Sequence, residues 1–153
     1  MSHPSLHRQT LGDLLRRTRQ RFPQKLAIRC GDTAWTYAEF EDTCNALANG
    51  LAGLGVAVGD RVAVIARNSH AFAALRFAVA RLGAVLVPVN FMLSAEEANY
   101  ILGHAGARVL CTDSGLAALA RAAAQGTSIQ TLVWMPSEDA GEPAEGMASF
   151  DDL

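Results

Sequence analysis

Polar residues follow three apolar runs of the sequence at the point where each run ends. The first run is followed by Arg67-Asn68-Ser69, the second by Asn90-Phe91-Met92 and the third by Thr112-Asp113-Ser114. If the runs are parallel strands, these residues share the sheet edge at which ligands bind, and helix N-termini there could hold an anion. The serines and Asn68, together with Ser94, have a simpler interpretation as helix caps, which we favour because every helix needs one.

Other signatures of catalysis or metal binding are missing from the sequence. There is no phosphate loop of the form GxxxxGK[ST] and no GxSxG nucleophile elbow. Gly53-Leu54-Gly55 begins like a dinucleotide-binding motif, but Val58 replaces the third glycine and no strand precedes it. The histidines have no metal-ligand spacing with one another or with a cysteine. They are His3, His7, His70 and His104.

The three cysteines indicate packing and not chemistry. Cys30, Cys44 and Cys111 are far apart and form no CxxC pair. An odd number of cysteines, without an apolar signal core at the N-terminus, fits reduced thiols in a cytoplasmic protein. Cys44 falls on the apolar face of a predicted helix and Cys111 within an apolar strand, so both are predicted to be buried.

The stretch Arg81–Asn90, RLGAVLVPVN, decides how the surrounding elements are interpreted. The window 71–89 contains two arginines, a glycine and a proline, which excludes a membrane-spanning helix. Before Gly83, apolar residues recur at helical spacing. After it, the unbroken apolar run predicts a central strand buried on both faces. Pro88 cannot donate to a strand ladder, so the strand should end or reach a sheet edge near it.

The first third of the chain predicts a helix, a hairpin and a second helix. Thr10 can cap the first helix, which ends at Phe22-Pro23, and Gly31-Asp32 is the turn signal of the hairpin. Thr36 and Glu39 have the spacing of a capping box at the start of the second helix.

From residue 61 onward, apolar runs alternate with amphipathic helices. Ser94 and Glu97 form a further capping-box pair within this part. Such alternation implies right-handed crossovers and a parallel sheet. We therefore predict an α/β fold, a Rossmann-like three-layer segment with a parallel sheet and crossover helices, preceded by a helix and a β-hairpin. The predicted strands are 61–66, 84–89, 107–112 and 129–135, and the intervening helices end near Leu82, His104 and Ala124.

Composition and charge distribution restrict the classes of function. Half of the 153 residues are hydrophobic and 18% are charged, and the net charge of −2 gives no general nucleic-acid signature. Residues 1–29 nevertheless contain seven of the 13 Lys and Arg residues. This basic cluster could contact RNA or anionic lipid. We favour a solvated helix face, because no aromatic residue interleaves with the arginines of the first helix.

The end of the chain differs in composition from the rest. SEDAGEPAEGMAS is acidic, rich in small residues and without periodicity. We therefore predict one α/β subdomain over residues 1–135, followed over 136–153 by an acidic linker or the start of the next element.

Three sequence blocks together resemble the N-terminal part of the AMP-forming adenylate ligases, and acyl-CoA synthetases in particular. They are WTYAEF (35–40), GDRVAVIARNSHAF (59–72) and RLGAVLVPVNFMLSAEEANYIL (81–102). The resemblance covers about residues 10–135. It implies a carboxylate that attacks the α-phosphate of ATP, followed by displacement of AMP by coenzyme A, with magnesium assisting the first step.

The same resemblance implies that the catalytic parts lie outside this chain. The family's phosphate loop ending in P-K-G, its later aromatic-Thr-Glu motif, its ribose-binding Asp and its C-terminal Lys are absent. We therefore assign no catalytic, cofactor-binding or metal-binding residue here. Asn90 lies nearest to the family's cleft. The expected partner is the remainder of the ligase or a second copy of the chain, and we expect neither nucleic-acid binding nor a transmembrane segment. The alternative is a non-catalytic α/β module that keeps the ligase scaffold.

Overall fold

The computed structural model describes residues 10–138 and 141–153, and it has the predicted three-layer α/β architecture. A five-stranded parallel sheet is covered by helices on both faces, and a helix and a separate two-stranded antiparallel hairpin precede it. His3, His7 and Arg8 lie outside the described residues. The helices are α1 (Leu11–Arg21), α2 (Tyr37–Gly53), α3 (His70–Arg81), α4 (Ala95–Ala105) and α5 (Ala117–Ala124). The strands are β1 (Leu26–Cys30), β2 (Thr33–Thr36), β3 (Arg61–Ile65), β4 (Val85–Pro88), β5 (Val109–Thr112), β6 (Thr131–Trp134) and β7 (Ala148–Ser149).

The helices begin where the sequence predicts. Thr10, Thr36 and Ser94 each accept a hydrogen bond from the backbone N–H three residues later, and each is paired with an acidic side chain at that position in a full capping box. An N-cap contributes about 0.5–2 kcal/mol to helix stability. These caps fix the register in which each helix presents its apolar side to the sheet.

The order of strands in the sheet corrects one prediction. The order is β4-β3-β5-β6-β7, and β4 pairs in parallel with β3 alone. The prediction of a central strand at 84–89 is therefore wrong, since β4 is an edge strand and Val85 is 49% exposed. Pro88 lies opposite Val64 of β3, and its missing N–H is tolerated at an edge. The parallel pairing of β3 with both β4 and β5 is confirmed.

Two apolar clusters form on opposite faces of the sheet. Cys44, Leu47 and Leu51 of α2 are fully buried in the larger cluster, with residues of α1, α3 and the hairpin. The smaller cluster packs α4 and α5 against Ala63 and Ile65 of β3. Because β3 contributes to both clusters, its residues from Val62 to Ile65 are inaccessible to solvent.

The sequence does not predict the strand near the end of the chain. Ala148 and Ser149 pair in parallel with β6, and Phe150 after them is buried. Leu153 then lies so close to Gly50 of α2 that a Cβ on that glycine would come within 2.3 Å of the leucine Cβ. The last residues are thus packed on α2. Among the described residues, no helix has the length and apolar character needed to cross a membrane.

Candidate functional site

The carboxyl edge of the sheet brings together polar residues that are distant in sequence. Arg67 follows β3, Asp113 follows β5 and Asn90 follows β4, while Trp134 ends β6. Because these strands are parallel neighbours in the sheet, their ends lie side by side. This is the edge at which open α/β sheets bind ligands.

A buried carboxylate organises this edge. Asp113 is 1% exposed, and its two oxygens accept hydrogen bonds from the backbone N–H of Arg67 at 2.8 Å and of Leu116 at 3.1 Å. Its Oδ1 also lies 3.6 Å from the Arg67 guanidinium. Asp113, and not Ser114, thereby caps the 3₁₀ turn Ser114–Leu116. A Cβ on Gly115 would come within 2.6 Å of that guanidinium, so a glycine is needed for its approach.

Ser114 links this edge to the last part of the chain. Its Oγ accepts a hydrogen bond from Trp134 Nε1 at 2.7 Å and donates one to the Glu142 carbonyl at 3.2 Å. The hydroxyl thus has defined structural partners. Its position is that of a connector between β6 and the segment after residue 141.

Asn90 lies on the open side of the edge. Its side chain is exposed, and its Oδ1 accepts a hydrogen bond from the Met92 backbone N–H at 3.0 Å, which closes a local turn. The Arg67 guanidinium lies 6.0 Å from the centre of the Phe91 ring, within the range of a cation–π interaction. These contacts place one cation beside Asn90, and they hold Arg67 between a carboxylate and an aromatic ring.

His70 is the first residue of α3, next to this edge, and it is buried. Its ring contacts Trp35 edge-on at 4.9 Å between ring centres, and its Nδ1 has no hydrogen-bond partner among the described residues. Burial lowers the pKa of His70 below its usual value of 6.5, and the charge of Asp151 offsets part of that shift. The imidazole is therefore held in its neutral form.

The remaining candidates divide into caps and packed thiols. Ser69 caps α3 by accepting from the Phe72 N–H at 3.1 Å, whereas Asn68 is exposed and lines a groove on the outer side of α3. Burial raises the pKa of both Cys44 and Cys111 to about 12, so neither thiol is a nucleophile near neutral pH.

A family model described as AMP-binding enzyme matches residues 15–152 of the chain. The protein belongs to the AMP-binding enzyme family. It is 42% identical over 105 residues to a feruloyl-CoA synthase of Amycolatopsis, covering 69% of this chain and 21% of that protein. It is 43% identical over 79 residues to the long-chain-fatty-acid–CoA ligase FadD13 of Mycobacterium tuberculosis, covering 52% of this chain and 16% of the relative.

A solved structure from Rhodopseudomonas palustris, named as a long-chain-fatty-acid CoA ligase, superposes with a TM-score of 0.87 at 30% identity. The superposition covers 97% of this chain and 37% of that one. The chain therefore spans about a fifth of the length of the curated AMP-binding relatives it matches, and about a third of the solved one.

The described residues of this AMP-binding segment do not fit the groups that the family uses. Within residues 10–138 and 141–153, no three His, Cys, Asp or Glu side chains are placed to hold a metal ion. The cation at the carboxyl edge, Arg67, already faces Asp113. We derive no reaction step from this segment through magnesium, ATP or coenzyme A.

Sequence reasoning named both Arg67 and Asp113 but missed that they interact. They are 46 residues apart, and their contact depends on β3 and β5 being neighbours. The available signal was an acidic residue directly after one strand and a basic residue shortly after another. It could have been used only with the strand order, which local periodicity does not supply.

Proposed function

We propose that the chain is the N-terminal part of an AMP-forming acyl-CoA ligase. In this reaction a carboxylate oxygen attacks the α-phosphorus of ATP and pyrophosphate leaves. The thiolate sulfur of coenzyme A then attacks the acyl carbon, and AMP leaves. The observation that carries this proposal is the family match over residues 15–152, supported by relatives that are named as ligases of aromatic and of long-chain acids.

In this proposal the chain supplies scaffold and not catalytic groups. Residues 1–135 form the α/β subdomain, and 136–153 lead toward the next element. The structure offers surface for the remainder of the ligase. β4 has an unpaired edge, and beside it lies a groove of about 440 Å³ lined by Leu11, Val79, Leu86 and Pro88, among others. An apolar groove next to an open strand edge is a common contact surface.

The 153-residue chain should not form acyl-adenylate by itself. Adenylyl transfer depends on positioned charges around the phosphates, and the sequence contains no phosphate loop. We further propose a reducing, cytoplasmic setting, supported by three cysteines that are all free thiols.

Pyrophosphate release tests this proposal directly. The purified chain is incubated with ATP, magnesium and a panel that includes ferulate and long-chain fatty acids. Full-length feruloyl-CoA synthase serves as the positive control. We expect release at the protein-free level with every acid. Carboxylate-dependent release above that level by the chain alone would overturn the proposed division of labour.

A further inference from the structure

The outward flank of α1 combines exposed aliphatic and basic side chains. Leu15 is the one residue of α1 that is fully buried, whereas Leu14, Arg17 and Arg21 are exposed. These three residues are spaced at i, i+3 and i+7, so they form one stripe along the helix. Leu14 is 61% exposed, an unusual fraction for a leucine beside a hydrophobic core.

The turn after α1 extends this stripe with the same two kinds of side chain. The Lys25 N–H donates to the Phe22 carbonyl at 3.1 Å, and the Lys25 ammonium lies 5.8 Å from the centre of the Phe22 ring. Phe22 is 55% exposed, and Leu26 directly after Lys25 is also exposed. Together, Leu14, Arg17, Arg21, Phe22, Lys25 and Leu26 form what we call the α1 flank.

The positive charge of the α1 flank is largely uncompensated. Arg16 and Arg19 lie on other sides of α1 and pair with Asp13 at 2.7 Å and Asp42 at 2.6 Å. Arg21 and Lys25, by contrast, form no salt bridge with any described residue. Asp13 is also the only acidic residue between positions 10 and 29. The flank thus keeps cations that are available to an outside partner.

An apolar groove lies directly behind the flank. It has a volume of about 280 Å³ between α1 and β1, and Leu14, Ala27, Phe40 and Phe77 are among its lining residues. Side chains at its rim can therefore move toward an apolar phase without leaving a polar cavity behind.

We propose that the α1 flank binds the surface of an anionic lipid bilayer. Cations interleaved with exposed apolar side chains on one helix face are the pattern of interfacial binding, in which the apolar groups enter the headgroup region and the cations meet lipid phosphates. Single-stranded RNA is the less suitable partner. It needs several exposed aromatic platforms, and the flank presents Phe22 alone.

Co-sedimentation of the full chain with vesicles tests the proposal. The vesicles are either pure phosphatidylcholine or equal parts phosphatidylcholine and phosphatidylglycerol. We expect binding to the anionic vesicles that weakens as salt is added, and little binding to the neutral ones. Removing both free cations with R21Q/K25Q should weaken binding about 30-fold, on the basis of roughly 1 kcal/mol per cation. Leu14→Ser should weaken it about fivefold through lost apolar insertion.

Matched variants separate the flank from net charge and surface hydrophobicity. Arg121→Gln makes the same charge change on α5, across the sheet, and Val58→Ser removes an exposed apolar group in the α2–β3 loop. Both should bind like the unaltered chain, and circular dichroism checks that all variants are folded. Absence of anionic-vesicle binding, equal binding to neutral vesicles, or an equal loss in R121Q and R21Q would overturn the proposal. Tight binding to a mixed-sequence single-stranded RNA without vesicle binding would likewise reject it.

Discussion

Strands β3 and β4 are composed of similar residues but occupy different environments. RVAVI in β3 and VLVP in β4 are both unbroken apolar runs after their first positions. β3 has a parallel neighbour on each side, and four of its five residues are buried. β4 has one neighbour, and none of its residues is fully buried. An apolar run therefore predicts a parallel strand without predicting its place in the sheet.

The difference continues beyond the ends of the two strands. After β3 the chain enters a packed region, where Asp113 holds the Arg67 backbone and His70 is buried against Trp35. After β4 it emerges into solvent, and Met92 is 80% exposed. The interior strand thus leads to ordered polar contacts, whereas the edge strand leads to an open surface.

The largest expected effect distinguishes the two strands themselves. Ile65→Ala removes a fully buried side chain of β3 and should lower the free energy of unfolding by about 2–5 kcal/mol. Val85→Ala at the half-exposed start of β4 should cost less than about 1 kcal/mol. Urea denaturation of the two variants gives both values. Equal costs would show that β4 is as deeply packed as β3.

The polar residues after the strands should show a smaller contrast of the same kind. Asp113→Ala leaves the N–H groups of Arg67 and Leu116 without their acceptor, and should cost roughly 2–3 kcal/mol. Asn90→Ala removes one exposed hydrogen bond and should cost about 0.5 kcal/mol or less. The same denaturation assay measures both, and a cost for N90A that matches D113A would contradict the asymmetry between the two ends.

The open edge of β4 should make the isolated chain self-associate. Unpaired strand edges with apolar neighbours are templates for pairing between chains. Val85→Lys should weaken association about tenfold, since a charge at such an edge opposes pairing. Val58→Lys, at another exposed valine, is the control. Light scattering coupled to gel filtration decides. A sharp monomer of the unaltered chain at tens of micromolar would show that the edge needs no cover.

The smallest effect concerns pH and the histidine after β3. The folded pKa of His70 lies below its usual 6.5, so the unfolded chain takes up the proton first as the pH falls. Stability from the neutral imidazole is therefore complete above pH 6.5 and declines below it, down to the folded pKa. His70→Phe keeps the ring contact with Trp35 and should flatten the change in unfolding free energy between pH 7.5 and 5.5.

Other titrating groups are separated from this effect by their pH range. Hydrogen bonds from their capping partners lower the pKa values of Asp13, Glu39 and Glu97 below 4.5, so these carboxylates stay ionised throughout the range. His104→Gln, at an exposed position of α4, serves as the control. An unchanged pH slope in His70→Phe would exclude His70 as its source.

Features set by local chemistry could be predicted from the sequence. Thr36 with Glu39 and Ser94 with Glu97 mark helix starts because capping is an interaction three residues long. The edge position of β4, the contact of Arg67 with Asp113 and the strand at Ala148–Ser149 could not be predicted. Each depends on which strands become neighbours, a property of the whole chain. Pro88 was the one local indication that β4 lies at an edge.

The most direct test of the central claim is whether this segment can serve as the N-terminal part of a working ligase. The matched N-terminal segment of the feruloyl-CoA synthase is replaced by this chain, and a second chimera carries the FadD13 segment at the same junctions. Formation of feruloyl-CoA from ferulate, ATP and coenzyme A is measured for both. We predict that the chimera with this chain retains activity within about tenfold of the FadD13 chimera. A folded chimera that forms no thioester while the FadD13 chimera does would contradict the account.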